Sequence, residues 1–498
     1  MPSKRITRLL ATTALATALV TGAAHAKTDL VVGMNLEPPH LDPTGGAAAA
    51  IDEVVLYNVF ETLTRIGPDG AIGPGLAESW DVSDDGLVYT FTLRDGVSFH
   101  DGTSFDSSDV AFSYNRARAE DSANSQRAYF APIDTIETPD PLTVVITLGE
   151  QDGLFLFRMG VGDASIVAPE SADTNTTNPI GTGPYRFDDR VEGDRVVLVR
   201  NENYVGPDDV YFDSVMFRFI TDAAAQVAAV RAGDVDVFPN IGSPESVLAF
   251  EADPRFATMI GSTEGETVMA LNWRREPFDN PMVRQAIAHA IDRDAVVEGA
   301  MFGFGTPIGT HFAPHNPAYV DLTGLYPHDP ERSRALLEEA GFADGLDLEF
   351  MLPPPAAYAR RGGEVIQAQL AEVGINAELV PVEWGQWLEQ AFRGFDYDMT
   401  IVSHTEALDI GIYARGDAYY FGYDNPEFNA VIEELNRTSD ADGRTALYQE
   451  AQQIIGEDLA SIFVFQLGKT GVRRAEVQGM WENAPIQAND VTAARWVE

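Results

Sequence analysis

The second half of the chain shows an order of predicted helices and strands that restricts its possible folds more than any other feature of the sequence. Asn280-Pro281 and Asp329-Pro330 each begin a predicted helix, with proline at the first helical position. A third predicted helix, residues 359–373, ends at Gly374, and a short predicted strand, residues 376–380, follows at once. Helices that alternate with short strands predict a layered α/β fold.

Residues 80–102 show a different pattern, the alternation of a half-buried β-strand. One face of that strand carries four apolar side chains, Leu87, Tyr89, Phe91 and Leu93. Turn signals of the Asp-Gly type surround the strand. His100-Asp101 resembles an acid–base or metal pair, but it lies in one of these turns, which favours a structural role. This region is therefore predicted to be rich in short strands.

Residues 1–26 have the composition of a secretory signal peptide. Basic residues precede an apolar run, and Ala24-His25-Ala26 is a small-x-small cleavage site. The apolar run is too short, and too rich in Thr and Ala, for a membrane span. We expect cleavage before Lys27 and export of a soluble protein to the periplasm.

Cysteine content and charge exclude several classes of site and partner. The chain has no cysteine, which excludes disulfides, thiolate metal sites and a lipoprotein anchor. The formal net charge of −44 disfavours nucleic acid and anionic membranes as partners. Only three lysines occur, Lys4, Lys27 and Lys469. Salt adaptation and GC-rich codon usage explain this composition about equally well.

The common catalytic motifs are absent from the sequence. It contains no G-x-S-x-G elbow, no P-loop and no H-E-x-x-H. Gly181-Thr182-Gly183-Pro184 is rich in glycine, but Pro184 would stop a phosphate-binding helix. Pro314 separates His311 from His315, so a loop is favoured over a helical metal-ligand pair. We therefore expect a binding protein with no catalytic residue, no cofactor and no metal. An exported hydrolase that uses paired acids is the alternative of another class.

Several short motifs follow one another along nearly the whole chain. They are Leu41-Asp42-Pro43, GLAESW at residues 75–80, FHDG at 99–102, GTGPY at 181–185, GDVD at 233–236 and RQAI at 284–287. In this order they resemble the signature of the family 5 solute-binding proteins. These are the peptide/opine/nickel-type periplasmic receptors of ABC importers.

The resemblance implies a two-lobed periplasmic binding protein fold of the cluster C type, with an extra β-rich subdomain in the first lobe. Lobe I is predicted to comprise residues 27–62, 165–268 and 468–498. The extra subdomain comprises residues 63–164, and lobe II comprises residues 269–467. The chain would cross between lobes near residues 269–273 and 465–468, where hinge rotation closes the cleft on a ligand.

The resemblance also implies the partners and part of the ligand site. The partners are a short peptide or peptide-like amino compound and the ABC permease and ATPase complex, with the receptor itself monomeric. A chemoreceptor partner is compatible with the same fold. Peptide-binding relatives commonly hold the ligand ammonium with an acid in the segment that matches residues 403–410, where this chain offers Glu406 and Asp409. The Trp and Asp-Pro usual in that segment are absent. Pro353-Pro354-Pro355 stands where dipeptide binders place an arginine.

Aromatic residues supply a second set of candidates. Trp384, Trp387 and a cluster of tyrosines after Asp409 offer stacking faces, which suit sugars or opines. An oligosaccharide- or opine-binding receptor is therefore the alternative within the family, and His404 is a candidate for holding a metal chelate. The full set of candidate ligand-binding residues is Glu37, Asn272, Trp384, His404, Glu406, Asp409 and Tyr413.

Overall fold

The computed structural model describes residues 27–46, 48–207, 210–353, 357–438 and 440–497. The predicted signal peptide, residues 1–26, and two of the three prolines at 353–355 lie outside the described residues. In the described part of the chain, no helix combines the length and apolar character needed to cross a membrane.

Strands and helices alternate along most of the described chain. The strands are β1 Asp29–Met34, β2 Thr64–Ile66, β3 Ile72–Pro74, β4 Ala77–Val82, β5 Val88–Leu93, β6 Ile133–Asp140, β7 Thr143–Leu148, β8 Tyr185–Val191, β9 Arg195–Arg200, β10 Ser214–Phe219, β11 Val237–Phe238, β12 Phe256–Leu271, β13 Gly305–Pro307, β14 Leu346–Leu352, β15 Ile375–Pro381, β16 Met399–His404, β17 Ile462–Arg474, β18 Val477–Gln478 and β19 Arg495–Trp496. The α-helices are α1 Ala49–Val55, α2 Ser107–Arg118, α3 Phe155–Arg158, α4 Ala223–Ala232, α5 Pro281–Ala290, α6 Arg293–Met301, α7 Pro330–Glu339, α8 Ala357–Glu372, α9 Trp384–Trp387, α10 Pro426–Arg437 and α11 Ala441–Asp458.

A mixed sheet of eleven described strands runs through the molecule. Its order is β15-β14-β16-β12-β17-β11-β1-β10-β9-β8, and β13 pairs with β17. The long strands β12 and β17 are antiparallel neighbours at its centre. They separate a first half of the sheet (β1 and β8–β11) from a second half (β14–β16). The predicted α/β fold is confirmed.

Both predicted crossing segments touch the central strand pair. Residues 269–271 end β12, and residues 465–468 lie inside β17. The two strands pair from Phe256 with Arg474 to Met269 with Ile462. They are therefore the two connections at the centre of the sheet about which its halves are arranged. The lobe boundaries drawn from the sequence stay a prediction.

The helix starts expected from sequence are present, with their polar caps. The side chains of Asn280 and Asp329 accept hydrogen bonds from backbone N–H groups at the starts of α5 and α7. In α5, Val283 and Ile287 are fully buried. They belong to a core that α5–α8 form against β14–β16. The sequence predicts an apolar stripe of Val283, Ile287 and Ile291 on this helix, and the burial of all three confirms it.

A second, antiparallel sheet of four strands, β4-β5-β7-β6, lies within residues 63–164. The predicted alternation is confirmed, because Tyr89, Phe91 and Leu93 in β5 are buried. The turns around it are confirmed as well. Gly86 and Gly102 have φ angles of 66° and 90°, which favour glycine.

His100 joins this sheet region to the GTGPY motif. Its Nε2 donates to the carbonyl of Gly183 over 2.9 Å, and the backbone N–H of Gly181 donates to its Nδ1 over 3.3 Å. The backbone N–H of His100 also donates to the Gly181 carbonyl. Burial lowers the pKa of His100 to about 4, so the ring is neutral at pH 7. His100 is therefore a structural clamp between two motifs.

We expect His100 to make folding stability depend on pH. Its folded-state pKa of about 4 lies below the unfolded value near 6.5. The unfolded chain therefore takes up a proton first, and stability is complete above pH 6.5 and falls as the pH drops towards 4. The contribution is about 2–3 kcal/mol. Urea unfolding of the wild type and of His100→Gln at pH 7, 6, 5 and 4 measures it. Identical pH slopes for the two proteins would contradict this role.

Candidate functional site

A cavity of about 390 Å³ lies between the two halves of the sheet. The first half contributes Asn35 and Asn240, and the second half contributes Tyr358 and Thr405. The central strands contribute residues 263–265 and 467–470, and the C-terminal segment adds residues 484 and 486–489. A smaller cavity of about 150 Å³ adjoins it and shares five lining residues with it. The two cavities therefore form one cleft that meets all parts of the fold.

A bulge in β12 presents Glu264 to both cavities. Regular pairing with β17 stops at Ser262 and resumes at Glu266. Thr263 Oγ1 donates to the Leu467 carbonyl over 3.0 Å and holds the bulge on β17. Gly261 is needed beside it, because a Cβ there would lie 2.2 Å from the carbonyl oxygen of Glu482. The local sequence therefore turns a glutamate out of the central strand and into the cleft.

Four carboxylates line the smaller cavity: Asp52, Asp163, Glu264 and Glu406. None of the described residues that line this cavity is a lysine or arginine. Burial, followed by the charge of Asp163, raises the pKa of Asp52. Burial also raises the pKa of Glu406, and the charge of Asp409 adds to that effect while Arg415 opposes it. The smaller cavity is therefore electronegative and suits a cationic group.

The larger cavity holds a buried lysine. Lys469 on β17 is 4% exposed and donates from Nζ to the Trp481 carbonyl over 2.9 Å. Burial lowers its pKa to about 8, while the charges of Glu53 and Glu482 oppose that change. The larger cavity therefore combines an ammonium with the carboxylates of Glu53 and Glu264, whereas the charged groups of the smaller cavity are all carboxylates.

The His311–His315 segment is a loop, as predicted, and each of its histidines meets an acid near the cleft. His315 Nε2 lies 2.6 Å from Glu264 Oε1, and His311 Nε2 lies 2.7 Å from Asp409 Oδ1. Asp409 is largely enclosed. Burial by itself raises the pKa of Asp409, but the charge and hydrogen bond of His311 outweigh that effect and lower the pKa. The loop therefore supports the wall of the cleft from behind.

Most of the aromatic candidates belong to the core. Five of them are at most 8% exposed, namely Trp387, Tyr413, Tyr419, Tyr420 and Tyr423. Trp384 is 46% exposed and stacks on Trp387, with ring centroids 4.8 Å apart, but it lines neither cavity. The structure therefore does not bring the predicted stacking faces to the cleft.

Two further candidates hold the backbone rather than line the cleft. Asn272 is fully buried, and its amide donates to the carbonyls of Phe395 and Tyr397 over 2.9 Å. Glu37 accepts hydrogen bonds from Arg190 and from the Gly193 backbone. Of the seven candidates, only Glu406 lines either cavity of the cleft, and His404 and Asp409 lie in the same segment behind it.

Sequence reasoning missed the other charged residues of the cleft. These are Asp52, Glu53, Asp163, Glu264 and Lys469. Lys469 had a signal, because it is one of only three lysines and lies within an apolar strand. The polar run at residues 262–266, inside a long strand, was a signal for Glu264. No local sequence signal indicated Asp52 and Asp163, because only the tertiary fold brings these two residues to the cleft.

Comparison with proteins of known structure supports the same architecture. HbpA2 from Haemophilus parasuis superposes with a TM-score of 0.86 at 25% identity, over 94% of this chain and 100% of that one. DppA from Helicobacter pylori, in complex with the peptide STSA, superposes with a TM-score of 0.73 at 26% identity, over 95% and 98%. A cleft between two α/β lobes, joined by two long central strands, defines a periplasmic-type binding protein. The two-lobed fold expected from the sequence is confirmed.

The sequence comparisons place the chain in one family. Residues 71–411 match the family described as bacterial extracellular solute-binding proteins, family 5. Heme-binding protein A of Haemophilus influenzae is 30% identical over 459 residues, with 83% of each chain covered. Di/tripeptide-binding protein 1 of Pseudomonas aeruginosa is 29% identical over 495 residues, with 89% of this chain and 90% of that one covered. The chain belongs to family 5 of the bacterial extracellular solute-binding proteins.

Proposed function

We propose that this protein is the periplasmic ligand-binding component of an ABC importer and that it captures a short peptide or peptide-like amino compound. The observation that carries this proposal is the carboxylate-lined smaller cavity. A cation taken out of water needs a paired carboxylate, and the ammonium group of a peptide meets that need. The names of two relatives, a di/tripeptide-binding protein and a glutathione-binding protein, are consistent with such a ligand.

The distribution of charge suggests how the ligand is oriented. Its ammonium lies among Asp163, Glu264 and Glu406, and the rest of it extends into the larger cavity towards Lys469. The volume of about 390 Å³ is within the range of small-molecule sites. A ligand carboxylate near Lys469 would keep that lysine charged, although burial alone disfavours the charge.

Delivery follows the general scheme of such receptors. We propose a monomer, exported through the segment at residues 1–26, which closes its lobes about β12 and β17. The closed form would present one composite surface to the permease and ATPase complex. The lobe boundaries given above, with the extra subdomain at residues 63–164, are part of this proposal.

The oligosaccharide alternative receives less support from the cleft. A sugar site is expected to stack rings on aromatic faces, yet Trp384 and Trp387 lie outside both cavities, and the aromatic residues that line them are Tyr129, Phe157 and Tyr358. An uncharged ligand also has no use for four converging carboxylates. The two alternatives differ in their response to pH and to substitution of the acids.

We expect the affinity for the ligand to fall as the pH is lowered. Burial raises the pKa values of Asp52, Asp163 and Glu406. As the pH is lowered, these carboxyls therefore become protonated at a higher pH than an ordinary carboxyl, which titrates near pH 4. A protonated carboxyl no longer attracts an ammonium group. Titration calorimetry at pH 8, 7, 6 and 5, with the tightest binder from an equimolar di- to pentapeptide library, measures the effect. An affinity unchanged from pH 8 to pH 5 would argue against an ammonium in this cavity.

A further inference from the structure

Two histidines and one aspartate meet behind the wall of the cleft. His311 lies in the loop after β13, His404 ends β16, and Asp409 begins the next segment. Asp409 Oδ1 lies 2.7 Å from His311 Nε2, and Asp409 Oδ2 lies 3.6 Å from His404 Nδ1. One ligand atom from each residue lies within 4.8 Å of the other two. Three separate segments therefore bring nitrogen and oxygen donors to one point.

Both imidazole rings are oriented by buried tyrosines. The Tyr420 hydroxyl lies 2.9 Å from His404 Nε2, and the Tyr413 hydroxyl lies 3.4 Å from His311 Nδ1. The outer nitrogen of each ring is thus engaged, and the inner nitrogen faces Asp409. Metal-binding histidines commonly have such a partner on the second ring nitrogen, which fixes the tautomer and the direction of the lone pair.

The donor set and its spacing suit a transition metal. Zn²⁺ binds imidazole nitrogen and carboxylate oxygen at about 2.0–2.2 Å, which places its ligand atoms roughly 3–4 Å apart. The distances of 2.7 and 3.6 Å need only small shifts of the side chains. Two histidines and one carboxylate leave a coordination position for water or a fourth ligand.

The surroundings favour a dication over an uncharged network. Asp409 and Glu406 are two carboxylates of one segment, and buried Glu266 pairs with His404 across β12 and β16. Arg415 is the positive group that opposes them. A divalent ion would balance this excess, which the two imidazoles leave uncompensated when they are neutral.

We propose that His311, His404 and Asp409 bind one divalent transition-metal ion of the Zn²⁺ type, which fixes the segment that carries Glu406. This replaces the expectation from sequence that the chain binds no metal. The inference does not depend on the identity of the ligand in the cleft, because the ion lies behind Thr405 and Glu406. Its role is to hold the position of the wall.

Zinc titration tests the site directly. The protein is treated with EDTA, freed of the chelator and titrated with Zn²⁺ by calorimetry. The amount of bound zinc is then measured by inductively coupled plasma mass spectrometry. We expect one equivalent, and we expect His404→Gln and Asp409→Asn each to weaken binding by about 100-fold. His328→Gln is the matched control, because His328 is an exposed histidine that lies beside Asp292 rather than beside Asp409. Its zinc affinity should equal that of the wild type.

A readout on the wild type keeps the proposal testable if the variants fail to fold. Co²⁺ added at one equivalent should give the visible ligand-field bands of a site with nitrogen and oxygen donors, and Zn²⁺ should abolish them. The proposal is overturned if the wild type shows neither bands nor saturable zinc binding. It is also overturned if folded His404→Gln and Asp409→Asn bind zinc as tightly as the wild type.

Discussion

The Glu406→Gln substitution is expected to weaken capture of the ligand by about 2 kcal/mol or more. That is roughly a 30-fold rise in Kd or more. Glutamine keeps the shape of the side chain but removes the negative charge that Glu406 brings to the smaller cavity, where we propose that the ligand ammonium binds. The lower end of the usual range applies because Glu406 is exposed to the cavity solvent. Titration calorimetry at pH 7, with the ligand recovered from the protein or the tightest library peptide, gives the value.

The matched control is Glu450→Gln, on an exposed face of α11, for which we expect an unchanged Kd. Thermal melts of both variants should match the wild type, so that a loss of affinity is not a loss of fold. An unchanged Kd in Glu406→Gln would remove this residue from the site. The family and the fold would stand, and Glu264 or Asp163 would become the next carboxylate to test.

The Gly181→Ala substitution is expected to destabilise the protein by about 3 kcal/mol. A Cβ at this position would lie 2.0 Å from the carbonyl oxygen of Val59 and 2.7 Å from its carbonyl carbon. Those atoms belong to the backbone and cannot move aside as a side chain does. The Gly183 N–H donates to the same carbonyl over 2.9 Å, so the close approach is part of a hydrogen-bonded turn. Urea denaturation at pH 7 measures the change in the free energy of unfolding.

Gly324→Ala is the control for this prediction. A Cβ at Gly324 meets no atom within 4 Å, and the residue is exposed. We expect its free energy of unfolding to stay within about 0.5 kcal/mol of the wild type. If Gly181→Ala is as stable as this control, the result would contradict the close packing of the GTGPY turn against residues 58–60.

Local structure was predictable where the backbone geometry favours one type of residue, as at the two ends of a helix. Asp222 accepts from the backbone at the start of α4, and Gly233 ends that helix with a φ of 82°. Both positions were readable from the sequence because capping depends on residues a few positions apart. The sequence predicts a strand over residues 235–238 directly after this helix, but only Val237–Phe238 pairs with neighbouring strands.

The site was less predictable because its residues come from distant parts of the chain. Asp52, Asp163, Glu264 and Glu406 meet through the sheet order, and no local spacing indicates that they do. The tyrosines after Asp409 were predicted to line the site, but the fold places them elsewhere. Their composition suits a stacking surface, yet all four are buried in an aromatic-rich core of the second half of the molecule. Composition alone does not say which face of a segment is buried.

The central claim is that the cleft captures a ligand that carries an ammonium group. Native mass spectrometry of the protein purified from periplasm, followed by analysis of the compounds released on unfolding, tests it most directly. We predict a one-to-one complex whose released compound is a short peptide or another amine that fits the two adjoining cavities of about 390 and 150 Å³. A released compound without an amino group, such as a neutral oligosaccharide, would contradict the claim and return the site to the oligosaccharide alternative.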